Sequence, residues 1–139
     1  TIGACHAGWR GAIDNIIDST IISMEKIGAS RKNIIAVIGP TIQKQSYEIK
    51  DDVAKIVKES LSFKRNHSIL SQMNDNKYLF DLPLLLKESL KISQISKIGD
   101  INVNTYDNNL FFSHRYSSHQ NSSKAGMTGR HISVIGILE

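Results

Sequence analysis

Five consecutive apolar residues, Ile34-Ile35-Ala36-Val37-Ile38, closed by Gly39-Pro40, constrain the fold more than any other segment of this chain. A run this short, rich in β-branched side chains and stopped by a loop signal, reads as a strand apolar on both faces. Such strands belong to sheets covered by helices, and the flanking sequence supplies them. Ile13, Ile16, Ile17, Ile21, Met24 and Ile27 recur at helical spacing, which predicts one helix over Ala12–Ile27 with Gly28 as its C-terminal cap. A second helix is predicted from Asp51 to Ser60, with Asp51 and Asp52 at its positive end and Lys58 at its negative end. Asp81 and Pro83 read as the cap and first turn of a third, continued by Leu84, Leu85, Leu86 and Leu90.

Further strands are expected at Thr1–Cys5, Tyr78–Phe80, Ile98–Val103 and Ile132–Leu138, the last apolar at nearly every position. Ser62–Lys77 is polar and gives no assignment, whereas Ser117–Ala125, rich in Ser, Asn and Gln, reads as a mobile loop. No internal repeat is present. The order of elements gives an α/β (α+β) chain of mixed sheets flanked by helices, read as a single domain over 1–139.

Composition narrows the class. With 40% hydrophobic and 22% charged residues, the chain has the balance of an ordinary globular protein, and no apolar stretch is long enough to span a bilayer. The start lacks the pattern of a secretory signal, although it also lacks Met. A lone cysteine excludes an internal disulfide and suits a reducing cytosol, so a cytoplasmic location is expected. The net charge of +4 is spread without a dense basic block, which favours anionic small ligands over nucleic acid.

Chemistry concentrates in His6-Ala7-Gly8-Trp9-Arg10-Gly11. Placed between the expected first strand and first helix, this run combines a metal-capable imidazole, a fork-shaped guanidinium and two glycines that admit close backbone approach. A helix N-terminus there would favour an anion. A lone histidine beside small residues is also what an ordinary turn contains, and one imidazole falls short of the three or four ligands zinc takes. Cys5 adds nothing to it: neighbours on a strand point to opposite faces, so Cys5 reads as a buried small hydrophobe.

In order along the chain, His6–Gly11, Ile38-Gly39-Pro40-Thr41-Ile42, Ser46-Tyr47-Glu48-Ile49, Phe80-Asp81-Leu82-Pro83, Leu110-Phe111-Phe112-Ser113-His114-Arg115 and Thr128-Gly129-Arg130 resemble the YfiH family. That family, long labelled laccase-like polyphenol oxidoreductases, is regarded as metal-dependent purine nucleoside phosphorylases, with adenosine deamination and methylthioadenosine phosphorolysis also attributed to it. The resemblance implies zinc, with copper as an alternative, held by a His and a Cys from an N-terminal portion that would precede Thr1 and by His6. It makes His6 and Arg10 catalytic candidates, and Arg10, Arg115, Arg130, Gly39 and Tyr47 candidates for binding phosphate and nucleoside. Pro40 shapes the same loop, and at most one of Phe111 and Phe112 contacts a purine.

Departures from the family pattern are the loop Gln43-Lys44-Gln45, Asn104 where a Cys is common, and His114 where an aromatic residue is usual. His67, His119 and His131 read as solvated or structural. Alternatives to phosphorolysis are a truncated remnant acting as a non-catalytic interaction module, and a peptidoglycan-editing hydrolase, which would need the upstream Cys. Expected partners are nucleoside and phosphate, with a complementing N-terminal fragment or a homodimer formed through the first or last strand.

Overall fold

The computed structural model describes residues 1–106, 108–120 and 128–138. Two short sheets and six helices make up the described part. Helix α1 (Trp9–Ile13) and helix α2 (Ile16–Lys26) lead to strand β1 (Ile35–Ile38), followed by β2 (Glu48–Lys50), α3 (Asp51–Glu59) and α4 (Leu61–Arg65). Strands β3 (Leu70–Asn74) and β4 (Lys77–Phe80) then precede α5 (Leu82–Ile92), β5 (Lys97–Asp100) and α6 (His114–Gln120). β1 pairs in parallel with β5, Ile35 opposite Lys97 and Ile38 opposite Asp100, while β2, β4 and β3 form an antiparallel sheet in that order.

Helix α5 is the hub. It packs on α1, α2 and α4 and on β1 and β5, and Leu82, Leu85, Leu86 and Leu90 are buried in the process. Its start matches the sequence expectation, since the Asp81 carboxylate accepts a hydrogen bond from the Leu84 N–H at 2.9 Å and Pro83 lies in the first turn. The core is completed by Ala54 and Val57 of α3, by Ile69, and by Phe80, fully buried against the Tyr47 ring at 5.2 Å.

Gly28 caps α2 as expected. Its φ of +95° is left-handed, the Gly28 N–H donates to the Glu25 carbonyl, and the Ala29 N–H donates to the Met24 carbonyl, each at 3.0 Å. The helix it closes is nevertheless not the single helix Ala12–Ile27. Asn15 at φ 62° and ψ 32° is left-handed and separates α1 from α2. Apolar spacing continued through this break because both helices bury the same side, Ala12 from one and Ile21 from the other.

Other expectations also need correction. Thr1–Cys5 and Ile132–Leu138 carry no regular secondary structure, and their residues are exposed. β1 is not covered on both faces: Ile38 is buried, yet Ile35 and Val37 are 68% and 63% exposed. The strand expected over Ile98–Val103 stops at Asp100, where the Asp100 side chain accepts from the Asn102 N–H at 2.8 Å and Asn102 turns left-handed at φ 52°. Ser62–Lys77 is ordered into α4, a 3₁₀ turn and β3, with Ser60 and Asn66 accepting hydrogen bonds from the Phe63 and Ser68 N–H groups. Residues 117–120 of the expected loop are helical, and 121–125 lie outside the described residues.

Candidate functional site

The His6–Gly11 run folds as a turn into α1. Gly8 precedes the helix with extended backbone, and its carbonyl accepts from the Ala12 N–H at 2.9 Å to close the first turn. A Cβ built on Gly8 would lie 3.1 Å from Nε2 of His6, so the glycine lets the imidazole rest against the backbone. Arg10 stands beside it with its guanidinium 4.9 Å from the Trp9 ring centre. His6, Gly8, Trp9, Arg10 and Gly11 line a shallow concavity of about 250 Å³. The helix contributes less than the sequence suggested: with five residues α1 is little more than one turn, so attraction for an anion rests on Arg10 rather than on a helix dipole.

No three His, Cys, Asp or Glu side chains are grouped to hold a metal ion among the described residues. Zinc takes three or four protein ligands, so His6 contributes one donor and the described residues do not make a complete site. Cys5 is exposed, not buried as expected, because the segment before His6 forms no strand to cover it.

A second group of candidates meets at the start of β2. Arg115, from α6, places its guanidinium 5.2 Å from the centre of the Tyr47 ring. Burial pushes the Tyr47 hydroxyl above its ordinary pKa of 10.0, and the Arg115 charge opposes that rise. Beside them the Tyr106 hydroxyl and Nδ1 of His119 are hydrogen-bonded at 2.7 Å, and the Tyr116 ring meets Tyr106 edge-on at 5.4 Å. Glu48, lowered mainly by its hydrogen bond to Lys77, also feels the charges of His119 and Arg115.

Arg130 is held within its own loop, donating to the Thr128 and Gly129 carbonyls at 2.8 and 3.1 Å. Gly129 permits this loop to touch Phe112, since a Cβ there would fall 2.5 Å from the ring. Phe111 turns elsewhere and meets His131 edge-on at 5.3 Å. Gly39 is exposed with open space around it. Thus Tyr47 and Arg115 are brought together, whereas no hydrogen bond, ion pair or ring contact among the described residues joins them to His6 and Arg10 or to Arg130. His67, read as solvated or structural, is exposed and stacks on Phe63 at 4.9 Å.

Two organising residues were not among the candidates: Asn104, noted only as a departure from the family pattern, and Arg31. Asn104 accepts from the Gln43 and Tyr106 N–H groups at 3.2 and 3.1 Å and donates to Ser46 Oγ at 2.8 Å, so one side chain ties the loop before Tyr47 to the loop after β5. Arg31 binds Asp18 at 2.9 Å, Glu25 at 3.0 Å and the Ser93 carbonyl at 3.2 Å, joining α2 to the end of α5. A further cleft between α1, α2, α4 and α5 is lined by Ser60, Ser62, Ser89 and Ser93. The Ser60, Ser62 and Ser89 hydroxyls are already engaged with Val57, with each other and with Leu85, which makes the cleft a packing seam.

Residues 1–138 match the family model described as multi-copper polyphenol oxidoreductase laccase. A protein of Rickettsia conorii named as a purine nucleoside phosphorylase is 40% identical over 119 residues, which cover 85% of this chain and 48% of that protein. The Bacillus subtilis purine nucleoside phosphorylase YlmD is 30% identical over 142 residues, covering 99% of this chain and 48% of YlmD. Among solved structures, the Bacillus licheniformis hypothetical protein YfiH superposes with a TM-score of 0.73 at 26% identity, over 81% of this chain and 43% of YfiH. The chain spans about half the length of the curated relatives it matches. With its motifs, mixed sheets and family match in agreement, the chain belongs to the laccase-like polyphenol oxidoreductase family that includes the YfiH-type proteins.

Proposed function

We propose that this chain carries part of the site of a purine nucleoside phosphorylase, acting on adenosine, inosine or methylthioadenosine. The observation that carries the reading is the placement of the His6 imidazole against Gly8 beside the Arg10 fork, in one concavity, within a family whose curated relatives bear that name. In phosphorolysis a phosphate oxygen forms a bond to the anomeric carbon as the bond from that carbon to the purine nitrogen breaks. The electron pair leaves with the base, which takes up a proton, and the products are free purine and the sugar 1-phosphate.

Arg10 suits the phosphate. A guanidinium presents paired N–H donors to two oxygens of a tetrahedral anion, and its stacking on Trp9 restricts the directions in which it points. His6 suits either the proton needed by the departing base or a metal ion whose other ligands lie elsewhere. His6 by itself is one donor of the three or four that a zinc ion takes. Arg115 over Tyr47 is a second cationic group, apart from the His6–Arg10 concavity, that suits an anionic ligand. Adenosine deamination is a companion activity of the same reading. A folded module without chemistry is the competing reading, in keeping with the lack of any group of three metal-capable side chains among the described residues.

The test is a chimera in which these 139 residues replace the matching segment of the Rickettsia conorii relative. Phosphate-dependent release of hypoxanthine from inosine is expected, with His6→Ala lowering it at least ~100-fold and Arg10→Lys raising the phosphate requirement. A folded chimera that releases no base, or that is indifferent to His6→Ala, overturns the proposal.

A further inference from the structure

Helix α6 carries Arg115 to Tyr47, and what seats the helix decides where that guanidinium points. Arg115, Tyr116 and His119 share one side of α6, at the (i, i+4) and (i, i+3) spacings that place side chains together. Among the described residues, the hydrogen bond and ring contacts that tie this side to the chain before Ser113 go to two tyrosines. Arg115 stands 5.2 Å from the centre of the Tyr47 ring, while Tyr106 holds Nδ1 of His119 at 2.7 Å and meets the Tyr116 ring edge-on at 5.4 Å. The direction of Arg115 therefore depends on how Tyr47 and Tyr106 are placed relative to each other.

One side chain spans the two. Asn104 is half-buried, and its Oδ1 accepts from the Tyr106 N–H at 3.1 Å and from the Gln43 N–H at 3.2 Å while its Nδ2 donates to Ser46 Oγ at 2.8 Å. Gln43 and Ser46 bracket the 3₁₀ turn that leads directly into Tyr47, whose own N–H donates to the Lys44 carbonyl at 3.1 Å. Backbone bonds join the same two segments, Thr41 N–H to the Val103 carbonyl at 3.1 Å and Thr105 N–H to the Thr41 carbonyl at 3.2 Å, but they stop at Thr41, well before Tyr47. We propose that Asn104 is the positioning residue of the Tyr47–Arg115 pair. It fixes the Tyr47 loop against Tyr106, and Tyr106 in turn seats α6 with the guanidinium over the ring. The positioning rests on these contacts; only the expectation that the pair serves phosphate depends on the phosphorylase reading.

The experiment follows the Tyr47 hydroxyl through alkaline pH by ring-carbon NMR of the 139-residue chain, with Tyr47→Phe assigning its signal. Burial holds this hydroxyl above its ordinary value and the Arg115 charge opposes the rise. Displacing the guanidinium should therefore move it up, by roughly 0.5 pH unit or more. Asn104→Leu, which keeps the volume and removes all three bonds, is expected to give this upward move. Ser46→Ala cuts one of the three, is expected to give a smaller move in the same direction, and serves if the leucine variant does not fold. Added to Arg115→Ala, Asn104→Leu should shift Tyr47 no further, because the charge it displaces is already gone. A less stable variant with Tyr47 titrating as in the parent, a downward move, or a shift that adds in full to that of Arg115→Ala would each overturn the positioning. In the chimera, Asn104→Leu and Arg115→Ala are expected to raise the KM for phosphate by similar factors, ~5-fold or more. If Arg115→Ala leaves that KM unchanged while Tyr47 titrates as stated, the pair's service to phosphate falls and the positioning stands.

Discussion

Asn15 decides the direction in which the His6–Arg10 turn leaves the helical layer, and its replacement separates two accounts by sign. If Ala12–Ile27 were one continuous helix, Asn15→Ala would stabilise it by about 0.5 kcal/mol, the difference in helix propensity. In the observed structure Asn15 sits at φ 62° and ψ 32° between α1 and α2, without a side-chain capping bond. A left-handed alanine costs roughly 1–2 kcal/mol, and asparagine is among the residues that tolerate this region best. Asn15→Ala is therefore expected to destabilise by about 1 kcal/mol, which for a chain of this size lowers Tm by roughly 3–5 °C. Asn15→Gly, free of the Cβ conflict, is expected to be neutral or stabilising, whereas in a continuous helix it would be worse than alanine by nearly 1 kcal/mol. Thermal and urea unfolding of both variants measure this. A higher Tm for Asn15→Ala than for Asn15→Gly would refute the break.

Three other outcomes follow from the packing and the charges. Burial raises the Asp100 carboxyl, but its 2.8 Å pair with Lys87 and the Asn102 N–H outweigh this and leave it below its ordinary 3.8. It therefore contributes stability above that value that is lost as pH falls through the lowered folded value, and Asp100→Asn should flatten the acid limb of the stability curve while costing about 1–2 kcal/mol at neutral pH. An acid limb unchanged in urea titrations would contradict the pairing. Arg115→Ala removes the charge opposing the burial of Tyr47, so alkaline absorbance titration should show the Tyr47 hydroxyl moving further above 10.0; a downward move would place Arg115 elsewhere. Phe80→Ala empties a fully buried site against Tyr47 and should cost roughly 3–5 kcal/mol in denaturant unfolding, with a loss under 1 kcal/mol showing that the ring is not central to the core.

What the sequence conveyed well was local chemistry with a fixed geometric demand. Asp81 and Pro83 announce the start of α5, Gly28 announces the end of α2, and both do so through backbone hydrogen-bonding needs that neighbouring residues satisfy. Periodicity misled where one apolar face continued through a break, as at Asn15, and where apolar composition stood for burial. Ile35, Val37 and Ile132–Leu138 have the composition of covered strands but lack a cover among the described residues. Composition records what a segment needs, and the partner that meets the need is a matter of tertiary assembly. Ser62–Lys77 was hidden differently: its polar composition gave no apolar period, while its order rests on local caps, Ser60 accepting from the Phe63 N–H and Asn66 from the Ser68 N–H.

The site was legible as residues and less so as geometry. His6 beside Arg10, with Gly8 giving way to the imidazole, follows from the spacing of one short run. The meeting of Arg115 with Tyr47 needs α6 to fold back on β2, and Asn104, which anchors the intervening loop with three hydrogen bonds, stood out in the sequence only as a departure from the family pattern. Arg130 shares a motif-like setting with Arg115 yet spends its donors on its own loop. Motif membership alone does not separate these two arginines, and their contacts do.

The most direct measurement of the central claim is phosphorus NMR of inosine and inorganic phosphate turned over by the chimera and by its His6→Ala variant. The account predicts that inorganic phosphate is consumed as a sugar 1-phosphate grows in equal amount with free hypoxanthine, and that His6→Ala abolishes both. Base released while inorganic phosphate stays constant, or sugar phosphate formed equally well without His6, would contradict it.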